Sequence, residues 1–211
     1  MSPLELIFRY LGERGRLPAL AALSLLMAST GSTASARLTA SGVGLAAATA
    51  LLLILAFRIW DDLEDREYDA LRHPTRITVV ARSVRPLERL AAALFIAGGL
   101  LIGRTADAGL RLLVLCAAAL ALGVWYSARS PSRRGLANSH VVLLKYPILA
   151  FAASPVTPSP IALAAVYLGL CAYEVADDRA LRASLGARRL AMSEGALSII
   201  AGATFVGGRL L

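Results

Sequence analysis

The sequence predicts an all-α integral membrane protein, a helical bundle of about seven transmembrane helices in a single membrane domain, 1–211. Hydrophobic residues make up 57% of the chain and charged residues 17%, against about 25% charged in an ordinary soluble domain. The apolar residues form repeated blocks, without the alternation of a membrane β-barrel. The net charge of +8 comes from basic residues in short loops between these blocks, which indicates lipid headgroups as partners and no nucleic acid.

Seven blocks are close to the roughly 20 residues that a helix needs to cross a bilayer. The second and fourth blocks are the most continuous, whereas the first is diluted by Ser, Thr and Gly. The fifth contains Lys145 near its middle, where an unpaired ammonium is costly, so we expect this side chain to point into the bundle. The predicted spans are 18–36, 42–60, 87–103, 110–128, 137–153, 160–177 and 193–210.

Basic residues are distributed unequally between the two sides of these spans. Sixteen lie in the N-terminal segment and in the loops after the second, fourth and sixth spans, and four lie on the other side. Loops rich in arginine and lysine stay in the cytoplasm. We therefore expect a protein of the cytoplasmic (plasma) membrane with its N-terminus inside. We also expect the charged segment before the first span to be a cytoplasmic lead-in and not a cleavable signal.

An acidic run, from Asp61 to Asp69, begins where the second span ends. In a continuous helix Asp62, Asp65 and Asp69 fall at positions i, i+3 and i+7, so their carboxylates lie on one face. Carboxylates this close repel one another unless a cation lies between them. The run therefore predicts either a metal site or a solvated helix end that pairs with neighbouring arginines.

A second acidic cluster lies at the end of the sixth span, on the same side of the membrane. Glu174 shares a helix face with Asp177 and Asp178. Ionisable groups at a membrane span mark a functional site by default. Two such clusters on different helices predict a divalent ion, and Mg²⁺ prefers carboxylate, water and phosphate oxygens. The alternative is pairing of these acids with Arg179 and Arg182.

Arginines lie close in sequence to both clusters, and their guanidinium groups match phosphate oxygens. Carboxylates, a metal ion and arginines at the mouth of an apolar bundle suit a ligand with a diphosphate head and a hydrocarbon tail. The basic pair at 133–134 is also explained by membrane orientation alone. The arginines expected near the head are Arg72, Arg76, Arg82, Arg133, Arg134 and Arg182.

The first acidic run resembles a motif of the UbiA superfamily of intramembrane prenyltransferases. Asp61-Asp62-x-x-Asp65-x-x-x-Asp69 is similar to that family's Asn-Asp-x-x-Asp-x-x-x-Asp, with Asp61 in place of the leading Asn, and a Pro-x-Arg ending at Arg76 follows. Tyr126-Ser127 and the basic pair after it resemble the family's Tyr-Ser and basic loop. The second cluster matches the family's second Asp-rich motif loosely, as Glu174-x-x-x-Asp178.

The resemblance implies transfer of an isoprenyl group from an allylic diphosphate to a hydrophobic, in this family often aromatic, acceptor at a site that faces the cytoplasm. It implies Mg²⁺ as the cofactor, with Asp62, Asp65, Asp69, Glu174 and Asp178 as metal ligands and Asp177 as a further catalytic residue. It implies that Asp61, Arg72, Arg76, Tyr126, Arg133, Arg134, Lys145 and Arg182 contact the substrate. The family has nine helices, so a protein partner that supplies two more is also expected.

Two other functions stay open on the sequence. A UbiA-like terpene cyclase would use the same site without an acceptor, and a shortened relative would act as a non-catalytic membrane scaffold or lipid-binding protein. Neither histidine is expected to bind a metal, since no ligand spacing links His73 and His140. Cys116 and Cys171 lie in apolar blocks and are interpreted as small buried hydrophobes.

Overall fold

The computed structural model describes residues 1–30, 39–105, 107–128, 135–154 and 156–210, with the side chains of 179, 180 and 208–210 excepted. Every regular element in these ranges is a helix. The helices are α1 (Pro3–Arg14), α2 (Leu17–Ser29), α3 (Ala40–Glu64), α4 (Arg66–Arg72), α5 (Ile77–Val80), α6 (Arg85–Ile102), α7 (Ala108–Ala128), α8 (Leu136–Leu143), α9 (Lys145–Ala153), α10 (Pro160–Asp177), α11 (Arg179–Ala183) and α12 (Leu185–Leu210).

Five helical segments are long and apolar enough to cross a membrane: α3, α7, α8 with α9, α10 and most of α12. The expected first span is represented by α2, which has 13 residues, while 31–38 lie outside the described residues. The expected third span is α6, whose 18 residues include Arg85, Glu88 and Arg89. Membrane-spanning helices are thus supported by composition and length, whereas the count of seven is not confirmed.

Two predicted spans differ in shape from what the sequence suggested. The last one begins at Leu185, earlier than the predicted 193. The fifth is interrupted at Leu144, which separates α8 from α9. Pro147 explains this break, because proline has no N–H to donate to the carbonyl of Leu143 and its ring crowds that carbonyl.

Polar contacts show that long helices that follow one another along the chain run in opposite directions. At one end Asp61 of α3 meets Tyr126 of α7 and Lys145 of α9; we call this the charged end. At the other end the N–H of Ser159 donates to the carbonyl of Thr30 at 3.3 Å. There too Arg111, near the start of α7, donates to backbone carbonyls at the end of α9.

The core of the bundle surrounds α3. Leu53, Ile54 and Phe57 are almost fully buried and pack with residues of α2, α7 and α9. Gly98 lets α6 approach α3 closely, since a Cβ at this position would lie 2.7 Å from Leu53. The central position of α3 explains why its C-terminal end carries the polar contacts described below.

Large apolar side chains cover the outside of the bundle. Ile96, Leu120 and Ile199 are 61%, 72% and 74% exposed, as expected for helices that face lipid hydrocarbon. Cys116 of α7 is also exposed, so the prediction that it is buried is wrong, whereas Cys171 of α10 is buried. A small apolar residue can face lipid as readily as a core, and hydropathy alone does not separate the two positions.

Candidate functional site

Asp61 lies at the point where α3, α7 and α9 meet. Its carboxylate accepts hydrogen bonds from the Tyr126 hydroxyl and from the Lys145 ammonium. Lys145 is 2% exposed and therefore points into the bundle, as expected from the cost of an unpaired charge in a span. The structure thus brings together three residues that the sequence predicted to contact substrate.

Asp62 faces a different helix, because successive residues on an α-helix point about 100° apart. Its carboxylate accepts a 2.8 Å hydrogen bond from the Tyr10 hydroxyl and two from Arg14, at 2.6 and 3.2 Å. Arg58, one turn earlier on α3, lies 3.6 Å away. Burial, followed by the nearby Asp62 charge, raises the pKa of Tyr10 well above its usual range, so this phenol stays a donor.

The acidic run does not form one continuous helical face. α3 ends at Glu64 and α4 begins at Arg66, with Asp65 between them at φ −84° and ψ 1°. The prediction that Asp62, Asp65 and Asp69 stack along one helix is therefore wrong. The i, i+3, i+7 spacing holds only in an unbroken helix, and here Asp65 interrupts it, although the N–H groups of Asp65 and Asp69 still donate to the carbonyls four residues earlier.

Asp69 is fully buried beside α5. It accepts a hydrogen bond from Arg76, and its Oδ2 has no hydrogen-bond partner among the described residues. Arg66 donates to the carbonyl of Ala81 at 3.0 Å. These contacts fold α4 and α5 back against the charged end.

The remaining predicted residues are more peripheral. Arg72, Asp177 and Arg182 are exposed, and Arg182 donates to the Ala176 carbonyl at 3.1 Å. Asp178 accepts from the N–H of Leu181 at 3.2 Å, which caps α11. Arg133 and Arg134 lie outside the described residues.

The five predicted metal ligands do not converge in the part of the chain that the structure describes. No three of Asp62, Asp65, Asp69, Glu174 and Asp178 place their oxygens close enough together to share one ion. The oxygens of Asp62 are instead occupied by Arg14 and Tyr10. The described arrangement therefore does not fit a single Mg²⁺ held by this set, and magnesium binding stays a prediction.

The second acidic cluster lies at the end of α10. This helix packs against α9, which carries Lys145. Glu174 is partly buried there, whereas Asp177 is exposed.

An apolar pocket of about 400 Å³ lies between α3, α6 and α7. Trp60 belongs to its wall and lies edge-to-face against Tyr126, with 5.5 Å between ring centroids. Tyr126 in turn donates to Asp61, so the pocket adjoins the charged end. The lining residues are Ala56, Phe57, Trp60, Leu63, Glu88, Ala91, Ala92, Phe95, Ile96 and Ala119.

The sequence analysis missed a buried cluster made of His140, Cys171 and Glu194. It also missed Tyr10 and Arg14 as partners of Asp62. Glu194 carried a usable signal, because a lone acid inside an apolar helix is costly and marks a site by default. His140 and Cys171 carried no such signal, since the three residues lie on three separate helices and no short spacing links them.

Comparison with protein-family models, with curated proteins and with solved structures finds no match to this chain. The resemblance to UbiA prenyltransferases thus depends on the motif residues of this chain alone.

Proposed function

We propose that the protein is an intramembrane prenyltransferase, which moves an isoprenyl group from an allylic diphosphate to a hydrophobic acceptor. The observation that carries the proposal is the apolar pocket that adjoins the cluster of Asp61, Tyr126 and Lys145. Ligand sites are commonly apolar cavities with a few convergent polar groups. A molecule with an apolar tail and a charged head matches this combination.

The head of the substrate would lie at the charged end. Lys145 is buried there beside Asp61, and Arg58 of α3 lies 3.6 Å from Asp62. Fixed cations in a water-poor site stabilise the negative charge that develops on a leaving diphosphate. Asp61 pairs with Lys145 and would hold its ammonium in place inside the bundle until the substrate arrives.

The tail would occupy the pocket, where aromatic rings line one side. The centroid of the Phe57 ring lies 5.7 Å from that of Trp60 and 5.9 Å from that of Phe95. When the allylic carbon–oxygen bond breaks, its electron pair leaves with the diphosphate and a carbocation remains. Aromatic faces stabilise a cation, and apolar walls keep water from capturing it before the acceptor does.

Magnesium would assist departure of the diphosphate in such a reaction by neutralising its charge. In the described arrangement, an ion at Asp62 would have to compete with Arg14 and Tyr10 for the same oxygens. The residues of this chain account for head binding through Lys145 and Arg58 without that ion. Dependence on Mg²⁺ is therefore a separate prediction, which the assay below tests with and without EDTA.

The test is a turnover assay with the full chain in lipid nanodiscs. Geranyl, farnesyl and geranylgeranyl diphosphates are supplied with a panel of aromatic and lipid acceptors, and diphosphate release is measured with lipid-soluble product. We expect release that Lys145→Met and Asp61→Ala each reduce at least about tenfold, the loss of one strong charge contact. Glu5→Gln, an exposed acid paired with Arg9 on α1, serves as the control and keeps full activity.

No diphosphate release with any donor and acceptor, with or without Mg²⁺, would refute the prenyltransferase proposal. Product formed equally well without acceptor would identify a terpene cyclase instead. Loss of activity in Glu5→Gln to the same extent as in Lys145→Met would show that the assay reports folding and not the site.

A non-catalytic membrane scaffold or lipid-binding protein is the second candidate. It is favoured by the way Asp61, Asp62 and Asp69 each accept hydrogen bonds from a cation of the chain itself. Acids that are paired internally stabilise helix packing without a ligand. An intact cellular phenotype in a strain carrying Asp61→Ala, together with absent turnover, would support this candidate.

A further inference from the structure

We propose that His140, Cys171 and Glu194 bind a zinc ion inside the bundle, at a site distinct from the charged end. The three residues come from α8, α10 and α12, and their ligand atoms all lie within 4.8 Å of one another. Ligand atoms around tetrahedral zinc are about 3.5 Å apart, given bonds of about 2.0–2.3 Å. The three ligand atoms thus already lie near the spacing that one zinc ion requires.

His140 is oriented as a metal ligand. Its Nδ1 lies 2.8 Å from the carbonyl oxygen of Leu136, and a carbonyl only accepts, so Nδ1 carries a proton. Its Nε2 faces Glu194 Oε1 at 2.7 Å. In a neutral ring this nitrogen would direct a lone pair at a carboxylate, so the position requires a proton or a metal ion. A backbone carbonyl on the other ring nitrogen is the usual support of a metal-bound histidine.

Glu194 supplies independent support for a ligand. Its side chain is 8% exposed, and its Oε2 has no hydrogen-bond partner among the described residues. A buried carboxylate oxygen without a partner is expensive, above all in a membrane helix. Coordination to a cation would satisfy this oxygen.

The third ligand, Cys171, is a free cysteine buried on α10. Tyr167, one turn earlier on α10, donates from its hydroxyl to the backbone carbonyl of His140 at 3.3 Å. This bond holds α8 against the part of α10 that carries Cys171.

The chemistry of the three ligands favours zinc. Thiolate and imidazole suit zinc, whereas Mg²⁺ prefers oxygen ligands and water. A thiolate and a carboxylate together neutralise the two charges of Zn²⁺, which suits an apolar interior. Three protein ligands also leave a fourth position for water.

Zinc at this position would fasten α12 to the bundle. α12 packs mainly against α10, and Ser198 donates to the Ala165 carbonyl at 2.8 Å. The His140 contact adds a link to α8. Zinc here would therefore link α8, α10 and α12, and its binding is expected to be independent of prenyl transfer.

The test is a cobalt titration of the full chain, purified in detergent and stripped of metal with a chelator. Co²⁺ bound to a thiolate absorbs in the near ultraviolet, so wild-type protein is expected to develop this band with one Co²⁺ per chain. Zn²⁺ should abolish the band, whereas excess Mg²⁺ should not. Cys171→Ser should lose the band, and Cys116→Ser, which removes the exposed cysteine, should retain it.

Glu194→Gln keeps the shape of the side chain and is expected to weaken Co²⁺ binding at least tenfold in a competition assay against a chromophoric chelator. The wild-type spectrum decides the question even if a variant fails to fold. Absence of a thiolate band in wild type, or an equal band in Cys171→Ser, would overturn the proposal. In either case the contact between His140 and Glu194 is a hydrogen bond without a metal ion.

Discussion

The contact between Tyr10 and Asp62 provides a quantitative test of the charged end. The Tyr10 hydroxyl donates to the carboxylate at 2.8 Å, and the two residues are 1% and 3% exposed. A hydrogen bond to a charged group contributes about 1.5–3 kcal/mol. Tyr10→Phe keeps the ring and removes only this donor, so we expect the free energy of unfolding to fall by about 2 kcal/mol.

Asp62→Asn removes the charge that Arg14 and Arg58 pair with. Breaking a buried ion pair costs about 3–5 kcal/mol. The side chains of Arg14 and Arg58 are 20% and 34% exposed, so water partly compensates them. We therefore expect a loss near the lower figure, about 3 kcal/mol. In the double variant Tyr10→Phe with Asp62→Asn, we expect a coupling energy of about 1–2 kcal/mol, because Tyr10 and Asp62 are in direct contact.

The assay is unfolding by SDS in mixed micelles, followed through the fluorescence of the chain's two tryptophans. Tyr173→Phe is the matched control, since Tyr173 is 56% exposed and its change should stay within about 0.5 kcal/mol. Strict additivity of Tyr10→Phe and Asp62→Asn, or equal effects of Tyr10→Phe and Tyr173→Phe, would refute the reasoning. Asp62 would then be available to an external cation.

Three further predictions concern the pocket, the opposite end and pH. Ala92→Phe fills part of the apolar pocket and should lower turnover of geranylgeranyl diphosphate at least about tenfold. The control Leu100→Phe, at an exposed position on the same helix, should not lower it. Equal turnover in the two variants would show that the substrate does not occupy the pocket. Arg111 is 2% exposed and donates to two carbonyls at the end of α9. Arg111→Met should therefore lower the free energy of unfolding by about 3 kcal/mol. The control Arg104→Met, at an exposed position, should have little effect. The raised pKa of Tyr10 means that its contribution is intact below the ordinary tyrosine pKa of about 10 and is lost as pH rises through the higher folded value. Wild-type stability in the SDS assay should therefore fall by up to about 1.4 kcal/mol per pH unit above pH 10 relative to Tyr10→Phe, and parallel pH curves would contradict this.

The helices could be predicted because long apolar blocks indicate segments buried in lipid, and such segments must be helical to satisfy their backbone hydrogen bonds. The sixth span, 160–177, coincides with α10, and Lys145 points inward because an unpaired ammonium is costly in a span. Local spacing failed where the backbone leaves the helix, at Asp65 and at Leu144. The break at Asp65 has no proline or glycine nearby from which it could be predicted, whereas the break at Leu144 follows from Pro147.

Contacts between helices could not be predicted in the same way. Tyr10 and Asp62 are 52 positions apart, and His140 and Glu194 are 54 apart. Periodicity indicates which residues share one helix face, but it does not indicate which faces of two helices meet. The partners of the acidic run and the buried His140, Cys171 and Glu194 cluster both depend on such meetings.

The central claim is that the charged end and the apolar pocket form one site for a prenyl diphosphate. Equilibrium binding of an unreactive geranylgeranyl thiolodiphosphate to the protein in nanodiscs tests it most directly. We predict saturable binding of one ligand per chain, weakened at least about tenfold both by Lys145→Met, at the head, and by Ala92→Phe, at the tail. Absence of saturable binding, or binding that neither substitution weakens, would contradict the claim.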